Sequence, residues 1–229
     1  MTRSHDKFKK ILKAEFKVFE ELKLEFVREL GSGGQGCVIQ VKIKDGKSAK
    51  FPSKHFALKI FDGQNHKEVQ QEIKKSLSAQ NDHFVRIYDA ETSDNVSFIA
   101  MELANQSLED KIQEEEKEIG CEELEKILDN VGACMEVLAL KFCHRDIKPA
   151  NILQFNNGEY KLTDLGVGVK LHSGGTSTAR VVLGTENYLS QAFKHKFQAN
   201  PKTGPQVGIN FTAEELRMED SFNFGMSLF

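Results

Sequence analysis

Apolar residues recur along the chain with two different periods. Phe8, Ile11, Leu12, Phe16, Phe19 and Leu22 fall three or four apart among lysines and glutamates, which predicts an amphipathic helix within 1–24. From Phe26 the apolar runs shorten, and strands are expected at 25–30, 37–44 and 55–61, separated by turn material at 45–54. A helix over 67–79 and strands over 84–88 and 96–103 follow, giving a five-stranded antiparallel sheet with one helix. After Ser107 the pattern turns helical, at 108–118 and at 122–142. There Leu124, Ile127, Leu128, Val131, Met135, Leu138 and Phe142 line one side. The economical layout is α+β: a segment 1–24, a sheet-rich lobe 25–103 and a mainly helical lobe 104–229.

Composition narrows the function classes. The 229 residues are 39% hydrophobic and 28% charged, enough for a sizeable core, and the net charge of −3 argues against a nucleic-acid grip. Cys37, Cys121, Cys134 and Cys143 form no Cys-x-x-Cys pair and sit among apolar neighbours, so buried free thiols in a reducing, intracellular and cytoplasmic setting are expected. No apolar run reaches the roughly 18 residues of a bilayer span. The basic start, with Arg3, Lys7, Lys9, Lys10 and Lys13, suits either a membrane-surface or targeting role or a helix packed on the domain or a frayed tail. Glutamates that follow favour the packed helix or tail.

The chemistry concentrates at His144-Arg145-Asp146-Ile147-Lys148-Pro149-Ala150-Asn151, with Asp164-Leu165-Gly166 thirteen residues after Asn151. Asp146 can accept a hydroxyl proton, Lys148 can sit against a phosphate, and Asn151 and Asp164 are hard oxygen donors suited to magnesium. That set fits phosphoryl transfer. Upstream, Gly31-Ser32-Gly33-Gly34-Gln35-Gly36 fits G-x-G-x-x-G, a pattern shared with dinucleotide enzymes. In those enzymes the glycines open a helix; here an apolar strand follows, which makes a hairpin that can lie over phosphates.

Together these residues resemble the eukaryotic protein kinases of serine/threonine type, with Leu165 where an Asp-Phe-Gly motif has Phe. The resemblance implies ATP and Mg2+ as cofactors and a protein as substrate. It gives Lys59 to the α- and β-phosphates, held by Glu72, with Glu68 as the competing partner. It makes Met101 the gatekeeper, gives the main chain of Glu102 and Ala104 to the adenine edge, and sandwiches the ring between Val38, Ala57 and Leu153. Arg145 would receive a phosphate from a segment carrying Ser173, Thr176, Ser177 and Thr178. Thr185, in Gly184-Thr185-Glu186-Asn187-Tyr188, would lie near Asp146 and Lys148, and Asp220 would brace the catalytic loop from the start of a helix.

Three departures stand out. Ser76 occupies a usually apolar position, Ala192 stands where a segment-anchoring glutamate is expected, and the chain stops soon after Asp220. The large lobe is therefore expected to be incomplete, with Phe222, Phe224, Met226, Leu228 and Phe229 short of apolar cover and open to a covering partner. A nucleotide-binding pseudokinase or interaction module is the alternative these departures favour. A small-molecule kinase is a further rival, less compatible with the whole His144–Asn151 string.

Overall fold

A computed structural model describes residues 20, 22–33, 36–44, 51–61, 66–92, 97–115, 119–171, 176–179, 185–192, 194 and 209–228. The chain divides into two compact units. The first takes residues up to Gln80 together with Arg86–Ala104, and the second takes Asn81–Val85 and everything from Asn105 onward. The amphipathic stretch 8–19 lies outside the described residues.

The first unit is an antiparallel sheet of five strands: β1 (Leu24–Gly33), β2 (Gly36–Ile43), β3 (His55–Phe61), β4 (Ile87–Thr92) and β5 (Ser97–Met101), in the order β1-β2-β3-β5-β4. The helix α1 (His66–Ser78) accompanies it. Alternation places Leu24, Cys37, Ile39, Val41, Phe56, Leu58, Ile60, Phe98 and Ala100 in one apolar cluster. Phe51 joins them from the loop and stacks on Phe56, with ring centroids 4.4 Å apart. Register puts Val38 opposite Lys59 and Ala57 opposite Met101, so these four residues share the other face of the sheet.

In the second unit, β6 (Gln106–Ser107), β8 (Ile152–Gln154) and β9 (Tyr160–Leu162) form a small sheet in the order β6-β8-β9. Its longer helices among the described residues are α2 (Leu108–Glu115), α3 (Cys121–Leu138) and α4 (Ala213–Met226). Two further strand pairs join β7 (Phe142–Cys143) to β10 (Val169–Lys170) and β11 (Thr176–Ala179) to β12 (Ile209–Thr212). Ile127, Val131, Cys134 and Leu138 are the buried stripe of α3. Thr212 and Glu215 close a reciprocal cap at the start of α4.

Several expectations are corrected. Phe84 and Val85 do not belong to β4: Val85 N–H donates to Leu162 O at 2.8 Å, and Leu162 N–H donates to His83 O at 3.0 Å, so their backbone groups are engaged in the second unit. The helix α3 ends at Leu138, and Phe142 lies on β7. Beyond Leu138 the Ala139 carbonyl accepts from Arg217 and the Lys141 carbonyl from Leu171, which replaces further helical bonds. Leu128 is 43% exposed and flanks the stripe. Thr176–Ala179, from the hydroxyl-bearing segment, is a strand, while Ser173 lies outside the described residues. Asp220 sits well inside α4, not at its start. Phe222 and Met226 are each 41% exposed, Phe224 and Leu228 are half-buried, and Phe229 lies outside the described residues.

Candidate active site

In the first unit the glycine-rich stretch is a hairpin. Gly31 pairs with Val38, Ser32 with Cys37 and Gly33 with Gly36, while Gly34 and Gln35 lie outside the described residues. Gly36 has φ +148°, and a Cβ there would stand 2.0 Å from the Ile60 carbonyl oxygen. Only glycine fits this close approach of β2 to β3. No comparable demand acts on Gly31, where an added Cβ would meet nothing within 4 Å.

One turn further into the sheet, Lys59 Nζ donates to Glu72 Oε1 at 2.6 Å, with both side chains buried. Glu68 is exposed and takes no part in that pair. The ammonium also lies 5.3 Å from the Phe61 ring centroid. Ser76 is buried on the same helix as Glu72. Met101 is buried at the end of β5, and Glu102 folds back so that its Oε1 accepts from Arg86 N–H at 2.7 Å. Ala104 follows outside any strand.

The second unit holds the remaining set. Asp146 is the hub: its Oδ1 accepts from Thr185 N–H at 2.9 Å and Thr185 Oγ1 at 2.8 Å, and its Oδ2 lies 2.9 Å from Lys148 Nζ. Asn151 Nδ2 donates to the Asp146 carbonyl at 2.8 Å and to Oδ2 at 3.1 Å. The same Lys148 ammonium donates to Thr185 Oγ1 at 2.8 Å. Four of the expected residues thus converge within hydrogen-bond distance, and Gly184 lies outside the described residues. Leu153, on β8, is half-buried and pairs with Ser107 and Lys161.

What holds this loop is a buried carboxylate on α4. His144 and Arg145 N–H donate to Asp220 Oδ2 and Oδ1 at 2.7 and 2.6 Å. That brace offsets the left-handed backbone at Arg145, φ 68°. Burial pushes the Asp220 carboxyl up from its ordinary range, against the pull of His144 and those two N–H groups. His144 is buried beneath the loop, with Nε2 2.9 Å from the Thr163 carbonyl, which fits a packing role rather than a metal ligand. Asp164 is also left-handed, φ 67°, and its Oδ1 accepts from Gly166 N–H at 2.9 Å. Leu165 is fully buried behind it. The Arg145 guanidinium is buried, its pKa lowered by that burial; Nη1 reaches the Val167 carbonyl at 3.4 Å, and Nε and Nη2 have no partner among the described residues.

A magnesium ion fits the donor set. Asn151 spends its amide nitrogen on Asp146, so its carbonyl oxygen and the carboxylate of Asp164, which also accepts from Gly166 N–H, are the hard oxygen donors of the set. Among the described residues no group of three or more His, Cys, Asp or Glu forms a closed cage. Two protein oxygens are what magnesium needs when waters and phosphates complete its shell.

Sequence reasoning missed two residues that act on this site. Glu219, buried on α4, accepts from Ser190 N–H at 2.8 Å and from Ser190 Oγ at 2.5 Å. Asn223, also buried, donates from its amide nitrogen to the Tyr188 carbonyl and to the Glu219 carbonyl, the latter at 3.2 Å, in the orientation that satisfies both. Neither carried a signal beyond being polar on an otherwise acidic helix.

Among known proteins, the family description "Protein kinase domain" matches residues 24–196. The mitogen-activated protein kinase kinase mkk2 of Aspergillus fumigatus is 33% identical over 182 residues, covering 75% of this chain and 35% of the relative. The MAP kinase kinase MKK1/SSP32 of Saccharomyces cerevisiae is 34% identical over 180 residues, covering 73% and 34%. Mitogen-activated protein kinase kinase 1 of Arabidopsis thaliana is 30% identical over 182 residues, covering 73% and 47%. The chain spans about a third to a half of the length of these relatives. With the family match over most of its length, the five-stranded sheet and the Asp146-centred loop, the chain belongs to the protein kinase family.

Proposed function

We propose that this chain is a serine/threonine protein kinase that moves the γ-phosphoryl group of ATP to a protein hydroxyl. The observation that carries the reading is the Lys148 ammonium set between Asp146 Oδ2 and Thr185 Oγ1. A substrate hydroxyl presented to Asp146 gives up its proton to the carboxylate as its oxygen bonds to the γ-phosphorus. The bond from that phosphorus to the bridging oxygen breaks, and ADP leaves. Lys148 neutralises charge on the moving group.

Lys59, fixed by Glu72, takes the α- and β-phosphates, with the Gly31–Gly36 hairpin above them. Val38, Ala57 and Leu153 face the adenine, and the main chain of Glu102 and Ala104 reads its edge beside Met101. Asn151 and Asp164 hold Mg2+, which supplies charge neutralisation to the phosphates when bound. The working lobes are drawn at 25–103 and 104–229, with 1–24 as a separate segment. The unpaired Arg145 nitrogens support activation by a phosphate on the hydroxyl-rich segment. Phe222 and Met226 mark an apolar face for a covering partner.

Transfer of labelled γ-phosphate to a generic protein substrate, with hydrolysis to identify the phosphoamino acid, tests the reading. Phosphoserine or phosphothreonine in the wild type, and none with Asp146→Asn, is the expected result. In both proteins ATP with magnesium should raise the melting temperature. A nucleotide-dependent melting shift without any transfer would replace the enzyme by a nucleotide-binding pseudokinase.

A further inference from the structure

Ala192 stands where the resemblance expects an anchoring glutamate, and it is exposed at the start of a short helical turn. The carboxylate that holds this part of the chain comes instead from α4. Glu219 is 4% exposed, and both of its oxygens are used by a single residue, Ser190, through its N–H and its hydroxyl. A carboxylate so deeply buried is stable only when its oxygens are satisfied. Ser190 supplies both donors.

Ser190 ends a span that begins on the reacting groups. Thr185 is bound twice to Asp146 Oδ1 and once by Lys148. The 3-10 turn Glu186–Tyr188 follows, with Tyr188 N–H donating to the Thr185 carbonyl at 2.9 Å. Asn223 then holds the Tyr188 carbonyl, and Leu189 is buried with Cys143, Phe211 and Leu216. Five chain steps join the two ends, a reach of at most about 18 Å fully extended and less in a 3-10 turn. Movement at Ser190 therefore passes to Thr185 with little slack.

We infer that Glu219 is the positioning residue for Thr185: it clamps Ser190 so that the 185–190 span keeps the Thr185 hydroxyl on Asp146 and Lys148. Glu219 and Asp220 are neighbours on one helix, and Asp220 holds the His144 and Arg145 N–H groups. One turn of α4 thus sets both the loop that carries Asp146 and the span that carries Thr185. The kinetic consequence rests on the kinase reading above; the mechanical one does not.

Two readouts test it in parallel on the full chain. The first is amide hydrogen exchange of peptides covering 185–190 and 143–147. In Glu219→Gln and Ser190→Ala, exchange over 185–190 should quicken, by about ten-fold in the glutamine variant, while 143–147 keeps its protection because Asp220 is intact. The second is kinetic: kcat should fall by roughly ten- to a hundred-fold with KM for ATP unchanged. Ser190→Ala added to Glu219→Gln should cost little more than Glu219→Gln alone, as expected for two ends of one contact.

Unchanged exchange over 185–190 overturns the inference, as does an equal speeding across the whole second unit, which would make Glu219 a general stabiliser. An unchanged kcat in an active enzyme overturns it too. If the Glu219 variants do not fold, Ser190→Ala decides by the same measurements. If the wild type transfers no phosphate, the kinase reading falls, and the exchange pattern alone decides the inference.

Discussion

Lys59 Nζ and Glu72 Oε1 lie 2.6 Å apart, a buried ion pair spanning thirteen residues of sequence. Removing one partner takes the ion pair from a charge that stays buried. Glu72→Ala should therefore destabilise the first unit by about 3 to 5 kcal/mol, whereas Glu68→Gln, on the exposed side of α1, should change little. Urea unfolding of both variants, with ATP and magnesium present and absent, checks the pair. Equal midpoints for the two would break it.

The glycine-rich hairpin separates two reasons for having glycine. Gly36→Ala forces a Cβ against the Ile60 carbonyl at positive φ, which costs about 1 to 3 kcal/mol from the backbone conformation alone. Gly31→Ala meets no neighbour, so its melting temperature should match the wild type. On the kinase reading proposed above, its ATP affinity should still fall, because the added methyl would stand where main-chain N–H groups approach phosphate. Melting curves with a nucleotide titration distinguish the two effects.

Glu123 links α3 to β9 and α2. Its carboxylate accepts from the Tyr160 hydroxyl and lies 2.8 Å from Lys111 Nζ. Burial alone would push the Glu123 pKa up, but the hydrogen bonds from Lys111 and Tyr160, with the charges of Lys111 and Lys126, bring it below its ordinary 4.5. The charged form is thus favoured by folding. Its contribution is present above pH 4.5 and is lost as pH falls through the lowered folded value. Glu123→Gln should flatten that acid slope, as followed by thermal melts between pH 3 and pH 6, roughly the range in which carboxylates titrate.

Thiol chemistry should single out one cysteine. Cys37, Cys134 and Cys143 are buried, and burial pushes the Cys134 and Cys143 thiols up to about 12. Cys121, at the first position of α3, is exposed, which corrects the expectation that all four are buried. In native buffer a disulfide reagent should titrate one thiol quickly and reach all four only in denaturant. Cys121→Ser should abolish the fast phase. Fast reaction at Cys143 would contradict its burial.

Most of the loop chemistry was legible because it is local. Asp146, Lys148 and Asn151 lie within six residues, and Lys59 with Glu72 could be paired by counting along one strand and one helix. β2 was legible for a similar reason, since its alternation reflects one buried face, whereas β3 and β5 are buried on both faces and read only as short apolar runs. Glu219 was not, because its partner is 29 residues earlier and the sequence around it, Arg217-Met218-Glu219-Asp220, reads as a solvated helical face. The end of α3 was hidden likewise. The apolar period runs on to Phe142, but the helix closes in a local turn, with Leu140 and Lys141 N–H on the Val137 and Leu138 carbonyls, and the next carbonyls, of Ala139 and Lys141, go to Arg217 and Leu171, distant in sequence. Phe84 and Val85 look like strand, and their β-like bonds go to Leu162.

That last pairing sets an order of events during synthesis. Residues 81–85 emerge between two segments of the first unit, yet their backbone partner, Leu162, is made 77 residues after Val85. At about 5 to 20 residues per second, this delays the bonds of this strap to Leu162 by roughly 4 to 15 s. The first unit receives its last strand, β5, well inside that interval. A growing chain would therefore complete the sheet around Lys59 while a short apolar strap still waits for the ribosome to deliver Leu162, and a chaperone acting in that window would have Phe84-Val85 as its natural grip.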